Sequence, residues 1–175
     1  FLTGSSPRAI VSQLNTTVED TAWQFGVTGT GSGLGARRPF LQISGNGKDL
    51  ISFSPEPTNS GSNFALVAGN FYYVAATVRF TGTGIETRFY VKDFSATTPT
   101  LRTAVGTASG SPLPGAIHNS TSRFAIGASY TNGAASRFFD GSIDEVRLSN
   151  SVLSSVDLLL GEQIDGGDPP DPPVT

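Results

Sequence analysis

Apolar residues recur in this chain mostly at every second position, the period of a pleated strand with one buried face. In Trp23-Gln24-Phe25-Gly26-Val27-Thr28, the side chains of Trp23, Phe25 and Val27 share one face. Phe40-Leu41-Gln42-Ile43-Ser44 and Leu50-Ile51-Ser52-Phe53-Ser54 follow, with Gly45-Asn46-Gly47-Lys48-Asp49 between them. Asn46-Gly47 supplies the positive φ that a tight hairpin needs. A longer strand runs from Tyr72 to Phe80, with Tyr72, Val74, Ala76, Val78 and Phe80 on one side. Gly82-Thr83-Gly84 then turns the chain into a strand from Glu86 to Asp93, where Arg88, Tyr90 and Lys92 oppose Phe89 and Val91. Phe124-Ala125-Ile126-Gly127 and a last strand from about Phe138 to Leu148 complete the set. Short strands separated by Gly-, Asn- and Pro-rich turns predict an antiparallel sandwich or barrel.

The stretch Thr97 to Ser122, rich in Thr, Ser, Pro and Gly, reads as a long surface excursion. One short helix is predicted, capped by Ser154 or Ser155 and carrying an apolar stripe of Val156, Leu159 and Leu160, with its end near Gly161. Residues 165–175 hold four prolines and three aspartates and cannot pack a core. They read as an extended linker to a further domain, which leaves 1–164 as the folded unit.

Composition narrows the function. The 175 residues are one domain's worth, and about a quarter of them are Leu, Ile, Val or Phe, enough for one core. Only 14% are charged and the net charge is −3, so no basic field exists to hold a nucleic-acid backbone. No apolar run is long enough to span a bilayer. With no Cys and one His, thiolate zinc sites, thiol nucleophiles and disulfides are excluded, and a His-based triad or multi-His metal site is close to impossible. The chain has no Met and opens on Phe1-Leu2, which reads as a piece of a longer protein. Its 21 Ser, 19 Thr and 21 Gly against 2 Lys fit an exported β-protein, secreted or held at the cell surface.

The most distinctive segment is Phe138-Phe139-Asp140-Gly141-Ser142-Ile143-Asp144-Glu145-Val146-Arg147-Leu148-Ser149-Asn150, followed by Val152-Leu153-Ser154. It resembles the closing strand of laminin G-like domains of the concanavalin A-like superfamily. Ile10-Val11-Ser12-Gln13 with Trp23 to Val27, then Phe71 to Thr77, Phe89 to Asp93, and Phe124 to Gly127, resemble further strands of that family in its order. The likeness covers about residues 8 to 160. It implies an all-β, two-sheet antiparallel jelly roll. It also implies N-terminal strands of which Phe1-Leu2 would be the tail, so the sandwich is expected to lack strands that another protein chain could supply. Within the closing strand Asp144, Val146 and Leu148 share one parity and Ile143, Glu145 and Arg147 the other. Ile143 and Val146 can meet one core only across an irregularity near Asp144.

Candidate chemistry follows from both readings. The resemblance implies that Asp144 holds a structural calcium, with Asp140 as a second candidate. Pairing of Asp144 with a backbone N–H or an arginine is the plainer alternative, as is capping of the Asp140-Gly141 turn by Asp140. Catalysis on a glycosidic bond needs two carboxylates across a cleft, whereas Glu19-Asp20 and Asp144-Glu145 are sequence neighbours that point to opposite faces of a strand. His118 sits in a Pro/Gly loop, so no enzyme is expected. Sugar recognition needs aromatic faces and planar hydrogen-bonding groups. Tyr90 shares a polar face with Arg88 and Lys92. Tyr130 lies in the Tyr130-Thr131-Asn132-Gly133 loop. Trp23 is a further candidate whose parity places it with the core. The expected function is a non-catalytic module that binds polysaccharide or cell-surface glycan. A structural or adhesion domain with protein contacts through sheet edges is the alternative, and a degenerate glycanase a distant third.

Overall fold

The computed structural model describes residues 4–15, 19–32, 36–55, 64–82, 84–110 and 113–158. Among these, ten strands form: β1 (Arg8–Gln13), β2 (Trp23–Val27), β3 (Pro39–Ile43), β4 (Ile51–Pro55), β5 (Tyr72–Thr81), β6 (Gly84–Asp93), β7 (Leu101–Ser109), β8 (Phe124–Ile126), β9 (Ser129–Thr131) and β10 (Ala134–Ser136). Eight build one antiparallel sheet in the order β5-β6-β7-β4-β3-β2-β1-β8, and β9 and β10 form a hairpin beside it. The alternation read from the sequence is the alternation of core-facing side chains, although the other face of β2 to β4 is covered too, with Gln24, Phe40 and Ser54 buried. Phe25, Val27, Leu41, Ile43, Ile51 and Phe53 enter the core from β2, β3 and β4, and meet Phe89, Val91 and Ala104 of β6 and β7. Tyr72, Val74, Ala76, Val78 and Phe80 line the same core from β5. Each fully buried side chain of this size stabilises the fold by about 1.5–3 kcal/mol relative to exposure.

A single sheet encloses a core only by curling, and β7 is where it curls. Residues Leu101 to Val105 pair with β6, while Gly106 to Ser109 pair with β4. Gly106 stands at the exchange of partners. A Cβ there would lie 2.8 Å from the Thr87 Cβ and 2.9 Å from the Phe89 ring, so only glycine lets the strands approach this closely. The result is a jelly-roll sandwich in which β5, β6 and the first half of β7 face β1 to β4. β7 corrects the reading of 97–122 as one excursion: Leu101 to Ser109 is a strand. Its small, polar alternation gave a weak apolar signal because it turns the corner rather than filling the core.

Two local expectations stand as read. The β3–β4 turn is organised by Asn46, whose Oδ1 accepts from Lys48 N at 3.0 Å and Asp49 N at 2.9 Å, with Gly47 at φ 84°. The helix α1 (Ser155–Leu158) is capped by Ser154, whose hydroxyl donates to Asp157 at 2.6 Å and accepts from Asp157 N at 3.3 Å. The described helix buries none of its residues, and Val156, the one stripe residue within it, is 72% exposed. Leu159, Leu160, Gly161 and the 165–175 linker lie outside the described residues.

The closing strand is the main correction. Residues 138–148 form no ladder with another described strand. Phe139 N donates to Gly127 O at 2.8 Å, and Phe139 and Val146 pack on the core, but among the described strands β5 and β8 remain the edges of the sheet. The expected irregularity is present: Glu145 has φ 43°, and Ile143 and Val146 are both half-buried. A left-handed residue between them breaks the strict alternation, and of the two Val146 packs on the core cluster. No helix among the described residues is long and apolar enough to cross a membrane.

Candidate binding face

The β5–β6 ribbon has two faces. One lines the core. The other carries, in cross-strand pairs, Tyr73 with Lys92, Ala75 with Tyr90, Thr77 with Arg88 and Arg79 with Glu86. Phe71 and Phe94 extend this row by one pair, and Phe94 N donates to Phe71 O at 2.9 Å. Alternation along the two strands therefore gathers an aromatic end and a charged end on one surface.

At the aromatic end, Phe71 is 51% and Phe94 43% exposed. Their ring centroids are 6.2 Å apart with 32° between planes, and the Lys92 ammonium sits 5.4 Å from the Phe94 centroid. The backbone beneath is well tied. Phe71 N donates to Ser95 Oγ at 2.9 Å, and Asp93 accepts from Ser95 N and from Asn70 Nδ2, each at 2.9 Å. Burial opposes ionisation of Asp93, but the bonds from Asn70 and Ser95 outweigh it and hold its pKa below the ordinary value. This platform escaped the sequence reading. Its signal was parity: Phe71 falls in step with Tyr73, and Phe94 with Tyr90 and Lys92.

At the charged end, Thr77, Arg79, Glu86, Arg88 and Val152 line a cleft of about 260 Å³. Arg79, Glu86 and Arg88 are exposed, and none hydrogen-bonds or ion-pairs with another described residue. Between the two ends the face is covered. Tyr90 is only 6% exposed, and the Tyr73 hydroxyl donates to Leu158 O at 3.0 Å. Burial pushes the Tyr73 phenol up, with the Arg147 charge opposing and Tyr90 and Glu145 adding. The C-terminal segment thus crosses the middle of the ribbon.

The expected ligand residues do not converge. Arg88 lines the cleft as a binding side chain should. Tyr90 shares its face but is buried, because the segment around Glu145, Arg147 and Leu158 lies against that part of the ribbon; its ring offers no open stacking surface. Tyr130 belongs to strand β9, not to a rim loop: Asn132 at φ 55° and Gly133 at φ 72° close a tight hairpin. The Arg123 guanidinium lies 5.8 Å from the Tyr130 ring centroid, which occupies one face of the ring. Trp23 packs on the core with its ring 6.1 Å from that of Phe124. Both lie toward the β8 edge of the sheet order, remote in it from β5 and β6.

Asp140 and Asp144 are exposed, and Arg147 pairs with Glu145 at 2.7 Å. No group of three or more His, Cys, Asp or Glu side chains is assembled among the described residues. A hard cation takes six to eight oxygens, so Asp140 and Asp144 would need backbone carbonyls or water to complete a site.

A second polar cluster was also missed. Asp20 accepts from Thr121 Oγ1 at 2.7 Å, Thr121 N at 3.1 Å and Ser122 Oγ at 3.1 Å. His118 Nε2 lies 3.5 Å from its other flank. The Thr121 hydroxyl, then Ser120, the Thr121 N–H and Ser122, hold the Asp20 carboxyl down to about 2 against a smaller opposing effect of burial. The hydroxyls donate to the carboxylate rather than to the imidazole, so the cluster clamps the 118–122 loop onto the start of β2 and holds no activated nucleophile. Nothing in the sequence places residue 20 beside residue 121; only the fold does.

A curled antiparallel sheet with a polar outer ribbon is a lectin-type architecture. The family described as the concanavalin A-like lectin/glucanases superfamily, of the laminin G type, matches residues 3–158. The chain belongs to this family. No curated protein and no solved structure matches it.

Proposed function

We propose that this domain is a non-catalytic carbohydrate-binding module of an exported or surface-attached modular protein, and that it engages glycan on the outer face of β5–β6. The observation that carries the reading is the exposed Phe71–Phe94 pair, set on a hydrogen-bonded rim beside Lys92, Asn70 and Asp93. Aromatic rings stack on the C–H faces of sugars, and planar amides and carboxylates bond their hydroxyls. Family membership supports the class of ligand, although the superfamily includes both lectins and glucanases and fold alone does not assign activity. A non-catalytic role is supported by the engagement of the Glu19-Asp20 pair: Glu19 pairs with Lys48 at 2.8 Å, and Asp20 accepts from the Thr121 and Ser122 hydroxyls. Affinity electrophoresis and calorimetry against a panel of soluble polysaccharides test the proposal. Phe94→Ala and Phe71→Ala should each weaken the retained glycan by about two- to tenfold, the range of one aromatic contact, with the unfolding midpoint unchanged. Binding indifferent to both substitutions, or no polysaccharide bound at all, would reject it.

One set of observations favours assembly as a second reading. Among the described residues β5 and β8 are the sheet's edge strands, 138–148 joins no strand ladder, and Phe138 and Leu148 are 57% and 62% exposed. Unpaired edges invite strand addition. Sedimentation analysis would show concentration-dependent association if copies complete one another.

A further inference from the structure

We infer that the cleft formed by Thr77, Arg79, Glu86, Arg88 and Val152 is a subsite for one acidic sugar unit of the uronate class. The inference deepens the proposed glycan reading and rests on it. Three features of the cleft point to this chemistry. First, its size: about 260 Å³ lies just under the range of sites that enclose drug-sized ligands and suits a single sugar ring. Second, its charge: two guanidiniums and one carboxylate make the cleft positive on a chain whose net charge is −3. Arginine is the side chain whose planar donors match a carboxylate two bonds at a time. Third, its unspent bonding capacity. Neither guanidinium is engaged by another described residue, and Glu86, directly across from Arg79, is likewise without a described partner.

The register sets Arg79 directly opposite Glu86, yet no ion pair joins them. Thr77 faces Arg88 and Arg79 faces Glu86, so the two guanidiniums sit diagonally across the ribbon with the acid and the hydroxyl at the other corners. A uronate fits each corner: its carboxylate takes the guanidinium donors, and its hydroxyls donate to Glu86 and meet the Thr77 hydroxyl. Val152, 42% exposed, supplies an apolar wall for the C–H edge of the ring. A neutral sugar would leave both guanidiniums unmatched, and a dense polyanion would be repelled by Glu86. The cleft is thereby tuned to a singly charged unit.

The test compares an oligogalacturonate with its methyl ester, which keeps the shape and removes the charge, by calorimetry at low and moderate salt. The acid form should bind about fivefold or more tighter than the ester, and the difference should shrink with salt. Arg88→Gln and Arg79→Gln should each weaken the acid form more than the ester and so reduce that preference, with the unfolding midpoint unchanged, since neither side chain supports a described contact. Glu86→Gln should strengthen binding of the acid. Equal affinity for acid and ester, or a preference that survives both arginine substitutions, overturns the subsite while the glycan reading stands. Failure of both oligomers and of every neutral polysaccharide to bind overturns the subsite together with that reading.

Discussion

Replacing Gly106 by alanine tests how the sheet closes on its core. At this residue β7 leaves β6 and joins β4. The added methyl would lie 2.8 Å from the Thr87 Cβ, 2.9 Å from the Phe89 Cε2 and 3.0 Å from the Thr87 Cγ2. Neither neighbour can yield cheaply. Phe89 is fully buried and Thr87 is 2% exposed, and a β-branched threonine has little χ1 freedom. Overpacking of this kind costs about 1–3 kcal/mol. Alanine restricts the unfolded chain and returns about 0.4–1 kcal/mol, because Gly106 is not at positive φ. The net expectation is a loss of about 1–2 kcal/mol, or about 2–8 °C in Tm for a domain of this size. Gly84→Ala is the control: it lies at the start of β6 with nothing within 4 Å of the new methyl, and should stay within about 0.5 kcal/mol of the parent. Thermal and urea unfolding followed by circular dichroism would read both. If Gly106→Ala unfolds at or above the parent's midpoint while Gly84→Ala behaves the same, the strands do not need the close approach, and the account of the corner fails.

Acid should loosen the 118–122 loop through Asp20. Its pKa falls from 3.8 to about 2 on folding, so its contribution is complete above pH 3.8 and is lost as pH drops toward 2. Asp20→Asn should be less stable at neutral pH and should flatten the pH dependence of Tm in that window; parallel profiles for parent and variant would contradict the role of the carboxylate. Calcium, expected from the resemblance at Asp144 and Asp140, meets two exposed carboxylates and no larger acidic cluster among the described residues. A calcium-dependent rise in Tm abolished by Asp144→Ala would establish the metal site, and a midpoint indifferent to calcium and to chelator would reject it.

Much of the strand pattern was legible because it follows from a local rule. Trp23, Phe25 and Val27, or Val74, Ala76 and Val78, alternate because adjacent Cβ atoms point to opposite faces. A core on one side demands that period whatever the partners are. The Asn46 turn and the Ser154 cap were legible for the same reason, since each is a side chain bonding a backbone within three residues of itself. β7 was not legible: its pairing is split between two strands, and its sequence answers to the corner at Gly106 rather than to a uniform face. The stretch 138–148 carries an alternating sequence, but the left-handed backbone at Glu145 interrupts it and it joins no ladder with a described strand.

The candidate site divides along the same line. That Arg88 and Lys92 share a face with Tyr90 was a matter of parity within one strand, and so belonged to the sequence. That Tyr90 is covered, that Phe71 and Phe94 stand open at one end, and that Arg79 faces Glu86 across the ribbon depend on which strands are neighbours and where the C-terminal segment crosses. Asp20 and Thr121 show the limit most clearly: about 100 residues separate them, 101 by count. Sequence by itself determined the strand period, the turns and the superfamily, because each rests on interactions between near neighbours or on a motif. Only the tertiary structure decided what is exposed, since burial is set by every element that packs against a residue and not by the residue's own strand.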